Sequence, residues 1–176
     1  MTNTYTVMVT GHRPSKLGGY ATDNPIESTI RARFKEILAR IRSTAEEREL
    51  KPIAISGMAL GCDQWWAEEA LSLGIDVYAY IPFKGQESKW PPTAQEAYKN
   101  LLNRCIRRVI VSEAGYASWK MQKRNRVMVD DANACVAVWD GSSGGTGNCV
   151  KYIKKQKKSC LYINANTFKE NWNELL

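Results

Sequence analysis

The sequence predicts an α/β protein, a Rossmann-like three-layer domain with a mainly parallel sheet and helices on both faces. Three observations carry that prediction. Short apolar runs rich in strand-forming residues recur at Tyr5–Thr10, Pro52–Gly57, Ile75–Ile81, Arg107–Ser112, Ala134–Trp139 and Cys160–Ile163. Between them lie segments whose apolar residues return every three or four positions, the period of an amphipathic helix. Several of the runs are apolar at consecutive positions, as strands are when helices cover both faces of a parallel sheet.

Each element has its own justification. Tyr5–Thr10 is a strand by its β-branched and aromatic content, halted at Gly11-His12-Arg13-Pro14. A turn-rich loop runs through Gly18-Gly19-Tyr20 to Pro25. The following helix places Ile26, Ile30, Phe34, Ile37, Leu38 and Ile41 on one side, with Asp23 or Asn24 as its cap and Pro25 at its first position. Pro52–Gly57 is the second strand, and Met58–Cys62 a tight connection into a helix over Asp63–Leu73. Gly74 closes that helix as a C-terminal cap does. Within it, one of Trp65 and Trp66 is expected in the core and the other outside.

Ile75–Ile81 is the third strand, broken at Pro82, and Phe83–Pro92 a loop. Thr93–Cys105 reads as a helix, Arg107–Ser112 as the fourth strand, and Ser118–Asp131 as a helix carrying Lys123-Arg124-Asn125-Arg126. Ala134–Trp139 is the fifth strand and runs into the glycine-rich loop Asp140–Asn148. Val150–Lys158 then predicts a basic helix, Cys160–Ile163 a last strand, and Thr167–Leu176 a short terminal helix.

Composition narrows the class. A chain of 176 residues is expected to form one domain, 1–176, and 44% hydrophobic with 24% charged residues is ordinary for a globular protein. No run of about twenty apolar residues is present, so no membrane partner is expected. The N-terminus lacks a basic stretch followed by an apolar core, and the five cysteines (Cys62, Cys105, Cys135, Cys149, Cys160) have no paired spacing. Both features predict a cytoplasmic protein with reduced thiols. No cofactor and no metal site is predicted, because no CxxC pair exists and His12 is the single histidine. The net charge of +7 favours anionic partners: a nucleotide, a nucleic acid or a phosphorylated metabolite. The same surplus also serves a solvated surface.

Ligands of open parallel sheets bind at the carboxyl ends of the strands. Those ends supply Gly11, His12 and Arg13 after the first strand, and Ser56, Gly57, Met58, Gly61, Asp63 and Gln64 after the second. Pro82 follows the third, and Asp140, Gly141, Gly144, Gly145, Thr146, Gly147 and Asn148 follow the fifth. Glycines at that density let backbone amides approach a ligand, and a helix start adds its dipole. Arg124 is suited to clamp a phosphate and Asn125 to read a base or hydroxyl. His12 reads as a base, a ligand donor or a turn-stabilising partner. Asp63 reads as a helix cap or as the best-placed carboxylate for hydroxyl recognition or acid–base work.

The blocks TGHRPSKLGGY, SGMALGCDQWWAEEAL and RNRVMVDDANACVAVWDGSSGGTGNCVKY closely resemble the YpsA-like proteins. That family lies within the superfamily joining Smf/DprA-type proteins with the LOG phosphoribohydrolases, and the resemblance covers about residues 4 to 163. It implies a Rossmann-like sheet whose loops bind a nucleotide or a nucleotide-derived ligand, with a homodimer or higher homo-oligomer and a bacterial or phage source. The LOG branch carries PGGxGTxxE, in which the glutamate supports N-glycosidic cleavage. Here Gly144, Gly145 and Gly147 match the glycines, Ser143 replaces the proline, Asn148 the threonine and Lys151 the glutamate. Arg124 matches the arginine that contacts ligand upstream of that motif.

Three functions follow as expectations. The first is a sensor or sequestering protein for a nucleotide-like small molecule. The second is a nucleoside or nucleotide N-glycosidase, with Asp63 or another acid in place of the missing glutamate. A DprA-like single-strand binder using Lys151–Lys158 is the third and is not favoured, since only Tyr152 is interleaved there for stacking.

Overall fold

The computed structural model describes residues 3–173. Seven strands form one sheet in the order β4-β3-β2-β1-β5-β6-β7. These are β1 (Thr4–Gly11), β2 (Lys51–Ser56), β3 (Asp76–Phe83), β4 (Arg107–Ser112), β5 (Ala134–Trp139), β6 (Ser159–Asn164) and β7 (Glu170–Asn173). All neighbours are parallel except β6 and β7. The helices are α1 (Pro25–Glu47), α2 (Cys62–Ser72), α3 (Pro92–Arg104), α4 (Ser118–Asp131) and α5 (Gly145–Lys155). The chain winds outward from β1 to β4, returns to lay β5 on the other side of β1, and winds outward again. The switch point therefore lies between β1 and β5, and a crevice opens there at the carboxyl ends.

Alternate residues of each strand feed two cores. On one face Val7, Val9, Ala54, Val77, Val136 and Val138 meet α1 and α2 through Phe34, Leu38, Trp66 and Ala70. On the other, Met8, Ile55, Tyr80 and Ala137 meet α4 and α5 through Met128, Val129, Val150 and Ile153. Consecutive apolar residues in a central strand thus serve opposite layers. Asn24 caps α1 by accepting from the Ile26 amide at 3.0 Å, with Pro25 at the first helical position. Gly74, at φ +71°, ends α2 as expected.

Three expectations are corrected. Trp65 and Trp66 are both buried, because α2 is flanked by α1 and α3 as well as the sheet; Trp66 meets the Phe34 ring edge-on at 5.2 Å. The terminal helix over Thr167–Leu176 is replaced at Glu170–Asn173 by strand β7, while 174–176 lie outside the described residues. Ten residues are too few for an unsupported helix. A turn built on Asn164 (its side chain accepts the Asn166 and Thr167 amides at 2.9 and 3.0 Å) folds the segment back to pair with the open edge of β6. Arg33 of α1 then holds Glu170. Lastly, α5 begins at Gly145, five residues before the expected start, so half of the glycine loop is helix.

Candidate functional site

A cleft of about 330 Å³ occupies the β1/β5 switch point. Its first wall is the β1 exit, where Thr10, Gly11, His12 and Arg13 lead into a short 3-10 turn at Pro14–Lys16. Opposite stand Ser143 and the start of α5, and the base is formed by Ala59 and Asp63 with Met121, Arg124 and Asn125 of α4. Gly11 allows this convergence: a Cβ there would lie 2.6 Å from the side chain of Cys62, where α2 begins.

The α5 terminus leaves its first turn of backbone open to the cleft. Gly144, at φ 139°, precedes the helix, and no side chain caps it. The Asn148 amide makes the first helical bond, to Gly144 O at 2.9 Å. The amides of Gly145, Thr146 and Gly147 precede it, in the region where helix N–H groups lack intrahelical acceptors and carry the positive end of the dipole. Nothing stands within 4 Å of a Cβ placed on Gly144 or Gly145, so this backbone is open to the cleft. Gly147 is different: a Cβ there would meet Ser142 O at 2.7 Å.

Arg124 is the charge at the base, only 5% exposed. Its Nη1 donates to the carbonyl of Gly57, and its Nε donates to Asn125 Oδ1 at 2.9 Å. Asp63 Oδ2 lies 4.0 Å from Nη1, and the same oxygen accepts the Ala59 amide at 3.3 Å. Burial lowers the guanidinium pKa, with Asp63 opposing, and raises that of Asp63, with Arg124 opposing. An arginine lowered from its high ordinary value remains a cation. Asp63 does not cap α2, whose cap position is Gly61.

The β1 and β5 exits are tied together beside the cleft. His12 Nε2 lies 2.8 Å from Asp140 Oδ1 and 3.2 Å from the Asp140 amide nitrogen. That nitrogen donates to the carboxylate when protonated and accepts from the amide when not. Asp140 Oδ1 accepts the Ser142 hydroxyl at 2.5 Å and the Ser142 amide at 2.9 Å. The hydroxyl first, then the amide, hold its carboxyl well below the usual carboxylate range. Trp139 Nε1 donates to Ser142 O at 2.8 Å and fixes the same loop.

Of the residues predicted from the sequence, the cleft gathers Gly11, His12, Arg13, Asp63, Arg124, Asn125, Gly144, Gly145, Thr146 and Gly147. Ser56, Met58 and Gln64 brace the β2–α2 connection instead. The Ser56 hydroxyl donates to Asp63 O at 2.6 Å and accepts the Met58 amide at 3.1 Å, while Gln64 Nε2 donates to Met58 O at 3.1 Å. Gly57 stands behind Arg124, and Gly61 packs against the His12 carbonyl. Pro82 is buried inside β3. Asp140 and Gly141 line a neighbouring hollow with Lys154, and Asn148 lines a groove between α4 and α5 with Arg126, Lys151 and Lys155. Lys151, at the glutamate position of the LOG motif, is exposed there.

Sequence reading missed Lys16 and Met121. Lys16 lines the cleft and donates to Ser142 Oγ at 2.6 Å, a contact across 126 positions that no local pattern announces. Among the described residues, no group of three or more His, Cys, Asp and Glu is placed to hold a metal ion. No described helix is long and apolar enough to cross a membrane.

Comparison with known proteins agrees with the family and the fold. Residues 7–174 match the model of the YpsA family, described as the "YspA SLOG family". An uncharacterized SPbeta prophage-derived protein, YoqJ, of Bacillus subtilis (strain 168) is 34% identical over 139 residues, covering 70% of this chain and 81% of the relative. A UPF0398 protein of Brevibacillus brevis is 25% identical over 157 residues, covering 86% of this chain and 81% of the relative. Among solved structures, DNA processing protein A (DprA) of Streptococcus pneumoniae superposes with a TM-score of 0.63 at 14% identity, over 94% of this chain and 52% of that one. DprA of Helicobacter pylori, whose structure concerns its single-stranded DNA binding mode, gives 0.61 at 14%, over 96% and 69%. At such identities the likeness is one of fold.

Proposed function

The chain belongs to the YpsA SLOG family, and from that premise we propose that its β1/β5 cleft binds the phosphate and ribose of a nucleotide or nucleotide-derived small molecule, as a sensor or sequestering protein. The observation that carries this reading is the uncapped start of α5, with open glycine backbone on one side and the buried Arg124 on the other. Free amides and a dipole recognise an anion that stays hydrated elsewhere. Arg13, Lys16 and Arg124 line the cleft against one carboxylate, Asp63, so the local charge favours a negative ligand. Ribose 5-phosphate and nucleoside monophosphates are expected to raise the melting temperature. Arg124→Met is expected to weaken their binding roughly 10- to 100-fold. An unshifted melting temperature at millimolar concentrations of every such compound contradicts the reading.

A second reading, hydrolysis of an N-glycosidic bond, is favoured by Asp63. It is the one carboxylate among the cleft's lining residues, and burial raises its pKa in the direction a general acid needs. Release of free base from a nucleoside monophosphate, abolished in Asp63→Asn, supports it. Intact nucleotide after prolonged incubation leaves the protein a binder. The groove bearing Arg126, Lys151 and Lys155 favours a third reading, a single-stranded DNA binder like the structurally similar DprA of H. pylori. A gel shift that weakens steeply with salt tests it.

A further inference from the structure

Beside the cleft lies a second hollow, of about 540 Å³, between the β3–α3 and β4–α4 connections. Arg13 and Met121 line both cavities, so one wall is common to the two. Phe83, Gln86, Trp90 and Tyr116 form its aromatic and polar surface, and its charged lining residues are all cations.

Tyr116 is 70% exposed, yet it is held in place. Its ring stands edge-on to Phe83, with centroids 6.2 Å apart and planes at 85°. The loop that carries it is pinned by Lys120, an ammonium only 8% exposed. Lys120 Nζ donates to the carbonyls of Glu113 at 2.8 Å, Ala114 at 3.1 Å and Gly115 at 2.8 Å, and lies 5.8 Å from the Phe83 ring centroid. All three donors of a buried cation thus fix the turn immediately before Tyr116. Gln86, 8% exposed, donates through Nε2 to Tyr98 Oη at 3.2 Å and Gly57 O at 3.4 Å. Its amide oxygen is an acceptor of the kind an amino group takes.

We propose that the hollow is a nucleobase subsite: the ligand's heterocycle stacks on Tyr116 while its phosphate lies on the start of α5, with Arg13 between them. This rests on the reading of the cleft as a phosphate and ribose site. A fixed, exposed aromatic face beside cationic residues takes a planar ring joined to an anion, and stacking of a base on such a face is tolerant of which base it is. The preferred partner is a free nucleotide, because the two cavities together are of a size for one small molecule.

The test is calorimetric titration of the full chain, its Tyr116→Ala variant and its Tyr116→Phe variant with ribose 5-phosphate and with AMP, GMP, CMP and UMP. The expected result is that at least one nucleotide binds about tenfold more tightly than ribose 5-phosphate. Tyr116→Ala removes that advantage without changing ribose 5-phosphate binding, and Tyr116→Phe keeps it. Equal affinities, or an advantage that survives Tyr116→Ala, overturn the subsite and leave the phosphate site standing. Absence of binding by every compound overturns both. Tyr116 dependence seen with single-stranded DNA but with no mononucleotide overturns the small-molecule ligand.

Discussion

The β2–α2 and β5–α5 connections look alike as sequence, each a glycine-punctuated exit from a central strand into a helix, yet they do opposite things. At β2–α2 the glycines are packed. A Cβ on Gly57 would overlap the Arg124 guanidinium and approach Asp63 Oδ2 to 2.8 Å, and one on Gly61 would lie 2.7 Å from the His12 carbonyl oxygen. Ser56, Met58 and Gln64 turn inward and satisfy the loop's own backbone. At β5–α5, Gly141, Gly144 and Gly145 have nothing within 4 Å of such a Cβ. The first connection uses glycine to bring protein against protein, and the second to leave backbone accessible. A site needs both, since the closed loop seats the arginine that the open loop faces.

The comparison is broken most forcefully at Gly57. Gly57→Ala displaces a buried guanidinium beside a buried carboxylate, and is expected to lower stability by about 3 kcal/mol in urea unfolding. A loss below about 0.5 kcal/mol, the size of an ordinary surface substitution, contradicts the packing described. Gly145→Ala sharpens the contrast. Its stability is expected to change by less than about 0.5 kcal/mol, because the new methyl meets no protein atom. Ribose 5-phosphate affinity is expected to fall roughly tenfold, since the methyl occupies space beside the free amides.

The smallest effect concerns Asp140, which orders the open loop. Its pKa is depressed in the folded protein, chiefly by the Ser142 hydroxyl and amide, against about 3.9 in the unfolded chain. A depressed acid stabilises the fold above its unfolded pKa, and that contribution is lost as pH falls below about 4. Asp140→Asn removes the titrating group, so its stability is expected to fall less between pH 5 and 3, by melting temperature, than that of the parent. Parallel pH profiles contradict the assignment.

What was legible in the sequence follows the same division. The six parallel strands announce themselves because both faces of each central strand are covered, which leaves runs such as VMV at 7–9 with no polar residue. The parallel sheet and the rim carrying the loops follow from strand–helix alternation; the order of the strands does not, because several doubly wound orders share that alternation. β7 stayed hidden because ENWN has no apolar run; its pairing is imposed by the β6 edge and the Arg33–Glu170 ion pair. Gly57 and Gly145 were equally conspicuous, and only the three-dimensional neighbours separate a packing glycine from an open one. Lys16 and Tyr116 sit in irregular connections, where the residue's place depends on distant contacts to Ser142 and Phe83.

The central claim is that α5 presents unpaired amides to an anion across from Arg124. A crystal structure with ribose 5-phosphate tests it most directly. The account predicts phosphate oxygens within about 3 Å of the Gly145 and Thr146 amide nitrogens, at hydrogen-bond distance. A phosphate held elsewhere, with the start of α5 facing only solvent, contradicts it.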